Sequence, residues 1–288
     1  AKHGAHVYLC ARSIAKGNKA IEEMKSASPR AHITLLQMDH LDLSSIVAAA
    51  KLVLSKETAL HGLINNAGIM ATPFEISKDG HETQWQTNYL AHWVFTHHLI
   101  PLMLKTSKTL APGSVRIVNL SSSGHYSAPK GGINFDDLSL SNSNGMPRYG
   151  QSKLANILHA KTLHKLYGPG SVTSKANEGE IWTSIVHPGL VESRIGDKAQ
   201  VPSVLRFLFD VYGAMGGRWS ADKGSWTSLY CAASPEMAKD QSGTYFQRLA
   251  EPGWQSALAK DEELADRLER WTVEVMTRER WISSDAVV

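Results

Sequence analysis

Val115-Arg116-Ile117-Val118-Asn119-Leu120-Ser121-Ser122-Ser123 is the stretch on which the fold turns, because β-branched and apolar residues give way abruptly to three hydroxyls. Such a run reads as a strand that stops at a polar edge. Downstream, residues 148–167 carry a helical pattern and residues 181–187 form another apolar run. Upstream the alternation is the same. Residues 6–10 and 33–38 read as strands, and residues 62–64 as a third, short one. One helix follows the first strand, with Ile14, Ala20, Ile21 and Met24 expected inward. A second covers residues 44–56, with Ile46, Ala49, Ala50 and Val53 inward, and a long third covers residues 81–104. Alternating strands and helices imply parallel pairing through right-handed crossovers, hence an α/β fold with a doubly wound parallel sheet. Such sheets bind ligands at the carboxyl edge of their strands.

Past residue 187 the pattern loosens. Residues 189–217 carry an apolar stripe (Val204, Leu205, Phe207, Leu208, Val211, Tyr212), followed by a helix over residues 221–233, a short strand over 244–247 and a charged helix over 256–277. No repeat or linker interrupts residues 1–288, so one domain is expected.

Composition narrows the function. The chain has 30 Lys and Arg against 27 Asp and Glu, and the net charge of +3 is spread along it, so a nucleic-acid partner is not expected. Cys10 and Cys231 lack metal-ligand spacing and read as buried small hydrophobes of a reducing, cytoplasmic compartment. The most apolar stretch, residues 90–104, is interrupted by His92, His97, His98 and Pro101, too often to span a bilayer. Those histidines do not fall one helical turn apart, so no metal site is expected. Residues 1–5 read as the end of a helix, which implies sequence upstream of Ala1 and leaves any targeting or anchor segment there out of view.

Tyr149 and Lys153 lie four apart on an expected helix and therefore share a face. A phenol titrates near ~10, and a neighbouring cation is what makes it useful in proton transfer at neutral pH. The pair alone is a common coincidence. In the company of Asn65-Asn66-Ala67-Gly68, Asn88, Ser122, the run Tyr149-Gly150-Gln151-Ser152-Lys153-Leu154-Ala155-Asn156 and Pro188-Gly189, it resembles the short-chain dehydrogenase/reductase family in order and spacing. The run at residue 149 and the insertion carrying Asn134-Phe135-Asp136-Asp137-Leu138 are similar to the branch of retinol dehydrogenases and WW-domain oxidoreductases.

The resemblance implies a Rossmann-like fold and a set of roles. Tyr149 would be the general acid-base, Lys153 the cation that tunes it and holds the nicotinamide ribose, Ser122 the hydroxyl that orients the carbonyl, and Asn88 the residue that positions a relay water. Asn65, Ala67 and Gly68 would pack on the adenosine ribose, and Asp39 and His40 would face the adenine, although His40 stands where a small aliphatic is usual. Pro188, Gly189 and Val191 would line the nicotinamide carboxamide, with Ser193 in place of threonine. Arg12 and Ser13 follow the first strand with no acid in reach, which favours NADP over NAD. The stripe falls in the family's substrate lid, about residues 194–217, and suggests a bulky apolar carbonyl or alcohol substrate, a core cover or a homodimer contact. The family's first strand and its glycine-rich phosphate turn are expected upstream of Ala1, and their place would lie between the strands at residues 6–10 and 62–64. Two readings follow: an NADP(H)-dependent carbonyl–alcohol oxidoreductase, or a non-catalytic remnant that acts through protein association.

Overall fold

The computed structural model describes residues 1, 3–196, 199, 213 and 217–283. Strand β1 (His6–Ala11) pairs in parallel with β2 (His32–Gln37), from His6 opposite His32 to Ala11 opposite Gln37. A second parallel sheet runs β3 (Gly62–Asn65), β4 (Arg116–Leu120), β5 (Trp182–Val186), β6 (Tyr245–Phe246) in that spatial order. Its register sets Asn65 beside Asn119 and Leu120 beside Val186, so the strands end together at one edge. The fold is α/β with a Rossmann-like parallel sheet. Among the described residues β1 and β3 share no ladder. Both line a cavity of about 2860 Å³ that extends to the carboxyl edge.

Helices α1 (Ile14–Ala27) and α2 (Leu43–Lys56) begin at Ser13 and Asp42, whose side chains accept hydrogen bonds from Lys16 N and Ser45 N. On α2 the expected face is buried: Ile46, Ala49, Ala50 and Val53. On α1 the expectation holds only in part, since Ala20 and Ile21 are half-buried but Ile14 and Met24 are exposed and only Gly17 is fully buried. The cause is close packing at one point. A Cβ at Gly17 would stand 2.4 Å from Leu35 Cδ1, so the helix rests on β2 through its glycine and its apolar rim faces outward. Cys10 likewise is exposed rather than buried, because β1 has an open edge, whereas Cys231 is buried as expected.

The long helix after residue 81 is not uniform. A turn at Thr83–Trp85 passes into a π-helical turn, Gln86–Leu90, closed by Ala91 N–H donating to Gln86 O, and then into α3 (Ala91–Ser107), which contains Pro101. Helix α4 (Gly145–Tyr167) is capped by Asn144 and buries most of its length between β4, β5 and the last helix. Helix α5 (Ala221–Ala233) matches its expected span. Helix α6 (Glu262–Arg278) is capped by Asp261 and preceded by a 3-10 turn, Leu258–Lys260, where one continuous helix was expected. One apolar cluster runs from Leu36 to Ile282 through Trp85, Tyr89 and Trp93. Among the described residues no helix is long and apolar enough to cross a membrane.

Candidate active site

At the end of β4 the backbone is bound to α4. Leu120 O accepts from Lys153 Nζ at 3.0 Å and from Asn156 Nδ2 at 3.0 Å, while Ser121 Oγ donates to Lys153 O at 2.8 Å. These bonds set Ser122 against Tyr149. The Ser122 hydroxyl accepts from Gly124 N at 3.0 Å and shares the space beside Gly124 with the Tyr149 ring, close enough to lower the phenol's proton affinity. Gly124 is required here, because a Cβ would stand 2.5 Å from Tyr149 Cε1. Lys153 Nζ lies 5.9 Å from the centre of the Tyr149 ring, and Ser122, Tyr149 and Lys153 all line the large cavity.

Burial sets the proton affinities. It raises the Tyr149 phenol, with the Ser122 hydroxyl pulling partly back, so the group is protonated at neutral pH. It pushes Lys153 down to about 8. The arrangement can hand a proton to an oxygen placed between Ser122 and Tyr149.

Asn88 sits in the π-helical turn, a distortion often found at functional sites. Its Oδ1 accepts from Ile69 N at 2.8 Å, and its Nδ2 donates to Ile69 O and Ser152 Oγ, both at 2.9 Å. Asn88 thus fixes the loop after β3. A Cβ at Gly68 would stand 3.1 Å from Asn88 Oδ1 and 3.3 Å from Lys153 Nζ, so Gly68 marks where the loop meets Asn88 and Lys153. Asn65 is buried and donates to Thr96 Oγ1 and Asn119 Oδ1, tying β3 to its neighbours. Ala67 O is held by His92 Nε2 at 2.8 Å.

The other expected cofactor contacts are dispersed around the edge. Arg12 is exposed just beyond β1, with no ion-pair partner among the described residues, and Ser13 caps α1. Asp39 uses its carboxylate on Leu41 N, a turn-forming bond, and does not line the cavity. His40 does line it, with its ring against His92 and its Nε2 buried without a partner; burial holds its imidazole down to about 4. Gly189 has φ +84°, Val191 bridges Trp219, and Ser193 is exposed at the rim. The lid stripe, residues 204–212, lies outside the described residues.

Two neighbours escaped the sequence reading. His125 Nε2 accepts from Ser256 N at 3.2 Å, so the proton is on Nδ1, which donates to Ser122 O at 2.7 Å and braces the serine loop. Its only signal was a position three residues after Ser122. Arg248 lines the same cavity and had no motif to announce it. The helix histidines hold separate posts: His97 stacks on Trp93, and His98 bonds Trp281 O.

Comparison with known proteins decides the family. Residues 1–135 match the short chain dehydrogenase family. A short-chain dehydrogenase/reductase of Aspergillus calidoustus, drtF, is 47% identical over 96% of this chain and 88% of its own length. This chain belongs to the short-chain dehydrogenase/reductase family. Retinol dehydrogenase 12 of Mus musculus is 35% identical, covering 95% of this chain and 78% of its own. A crystal structure of an uncharacterized protein from Mycobacterium paratuberculosis superposes with a TM-score of 0.68 at 25% identity, covering 95% of this chain and 85% of that one. The short-chain dehydrogenase/reductase is accordingly an oxidoreductase that works with a nicotinamide cofactor on a small substrate.

Proposed function

We propose that this short-chain dehydrogenase/reductase interconverts a carbonyl and an alcohol on a bulky apolar substrate with NADP(H), and that Tyr149, Lys153, Ser122 and Asn88 form its catalytic group. The observation that carries this reading is the meeting of the Ser122 hydroxyl, the Tyr149 phenol and the buried Lys153 ammonium on one cavity wall. Ser122 and Tyr149 present two hydroxyls to one substrate oxygen. In the reducing direction Tyr149 Oη gives up the proton and Ser122 stabilises the charge that develops. Lys153, held close by the Leu120 carbonyl, favours the phenolate left behind.

The residues present suit a dinucleotide. Gly68 and Gly189 leave room where a Cβ would intrude, and His40 Nε2 and His187 Nδ1 are buried polar atoms without protein partners on the cavity wall. When bound, the nicotinamide supplies or accepts the hydride. Lys153 would hold its ribose, Gly68, Ala67, Asn65 and His40 its adenosine half, and Pro188, Gly189, Val191 and Ser193 its carboxamide, while Asp39, which does not line the cavity, is left out of this set. Arg12, with Ser13, supplies an exposed cation that favours a 2′-phosphate.

An apolar substrate is supported by the stripe at residues 204–212, read as part of a lid over about residues 194–217, and by the name of the retinol dehydrogenase relative. The continuous core from Leu36 to Ile282 supports residues 1–288 as one domain. Replacing Tyr149 by Phe removes the hydroxyl and keeps the ring. Turnover of a ketone or aldehyde is expected to fall by roughly 10²–10⁴-fold while NADPH binding, read by fluorescence, persists. Near-normal turnover in that variant removes the proposal.

A further inference from the structure

Arg248 follows β6 at the carboxyl edge, on the same cavity as Ser122, Tyr149 and Lys153. Its guanidinium lies 5.1 Å from the centre of the Trp219 ring, and its stem packs on Gly189, where a Cβ would stand 2.5 Å from Arg248 Cδ. Stacked on one side and packed on the other, the side chain is aimed rather than loose. It also acts on His187, the neighbouring wall residue, which burial, His125 and Arg248 together hold down to about 4. Among the described residues no carboxylate forms an ion pair with Arg248; Glu192, also on the wall, does not reach it.

The backbone around it is built under constraint. Leu249 (φ 62°, ψ 30°) and Ala250 (φ 57°) are consecutive left-handed residues with side chains, a conformation that neither adopts without support. Support comes from Thr227 on α5. Its Oγ1 donates to Gln247 O and accepts from Ala250 N, both at 3.2 Å, while Gln247 N donates to Glu251 O at 2.8 Å. A turn held in this way fixes the direction of Arg248. With His125 and His187 neutral, Lys153 and Arg248 leave this end of the cavity positive.

We infer that Arg248 is a specificity-determining residue, the cation that receives a carboxylate or similar anionic oxygen group on the carbonyl substrate. This rests on the proposed carbonyl–alcohol activity and refines its substrate class to an apolar body bearing an acid. The guanidinium, backed by the Trp219 ring, offers the forked donors that a carboxylate takes in pairs.

The test compares para-carboxybenzaldehyde with its methyl ester under NADPH, and the binding of para-(hydroxymethyl)benzoate with that of its ester by titration calorimetry. Wild type is expected to favour the acid in kcat/KM and in affinity. Arg248→Gln is expected to lower the acid-to-ester ratio by roughly 10- to 100-fold, largely through KM, and Arg248→Lys to restore part of it. Equal handling of acid and ester by wild type, or an unchanged ratio in Arg248→Gln, overturns the inference. Binding of the benzoate that depends on Arg248, with no carbonyl reduced, upholds the anion site and refutes the proposed activity. Reduction of both aldehydes at the same rate does the opposite.

Discussion

Arg12 stands exposed past the end of β1, and the 2′-phosphate of NADP is an anion it is free to meet. A charge-assisted contact of this kind is worth ~1.5–3 kcal/mol. Arg12→Ala should therefore raise the KM for NADPH by roughly 10- to 100-fold and barely alter that for NADH; a wild type that treats the two cofactors alike argues against the assignment. Side chains of this sort differ in how visible they are in a sequence. Spacing puts Tyr149 and Lys153 on one helix face and a strand end puts Ser122 at an edge, but it was the resemblance of the whole set to the short-chain dehydrogenase/reductase family that made them candidates. His125 and Arg248 were not, since each owes its meaning to partners distant in the chain, Ser256 (131 residues off) for one and Gly189 and Trp219 (59 and 29 residues off) for the other. Asn88 was legible as a site residue, but its use as a clamp on Ile69 depends on the π-helical turn, which no periodicity announces.

Helix α4 meets the 3-10 turn Ser123–Ser127 at Gly150, where a Cβ would stand 2.5 Å from both Ala128 N and Ser127 C. Backbone cannot yield as a side-chain tip can. Gly150→Ala should destabilise the protein by about 1–3 kcal/mol in urea unfolding and lower kcat by moving the Ser122 loop away from Tyr149; unchanged kcat and stability would show that the two elements are less tightly fitted. Elements with a clear inward stripe and a cap, such as α2, could be read from the chain directly. Helix α1 could not, because its contact runs through Gly17, a residue that adds nothing to an apolar pattern, and its apolar side chains look outward.

Across the molecule, burial keeps several imidazoles neutral: His40 and His187 are pushed down to about 4, and His92 well below its ordinary value. Between pH ~6.5 and the folded value near 4 the unfolded chain binds protons at these sites that the folded chain refuses. Stability is therefore expected to fall as pH drops through that window and to be fully present above it. Urea midpoints measured from pH 7 down to 4.5 should decline, less steeply in His187→Gln; equal slopes would assign the decline to other groups. The alternation of strands and helices and their parallel pairing were legible from the pattern, whereas the cavity that β1 and β3 share is a property of the assembled fold. That division has a thermal consequence. Among the described residues, hydrogen bonds between strands run within each sheet and not from β1 to β3, and α2, which packs on β2, lies against α3 through apolar side chains. Apolar association weakens on cooling while ladders do not depend on it, so the cold is where this junction is least secure.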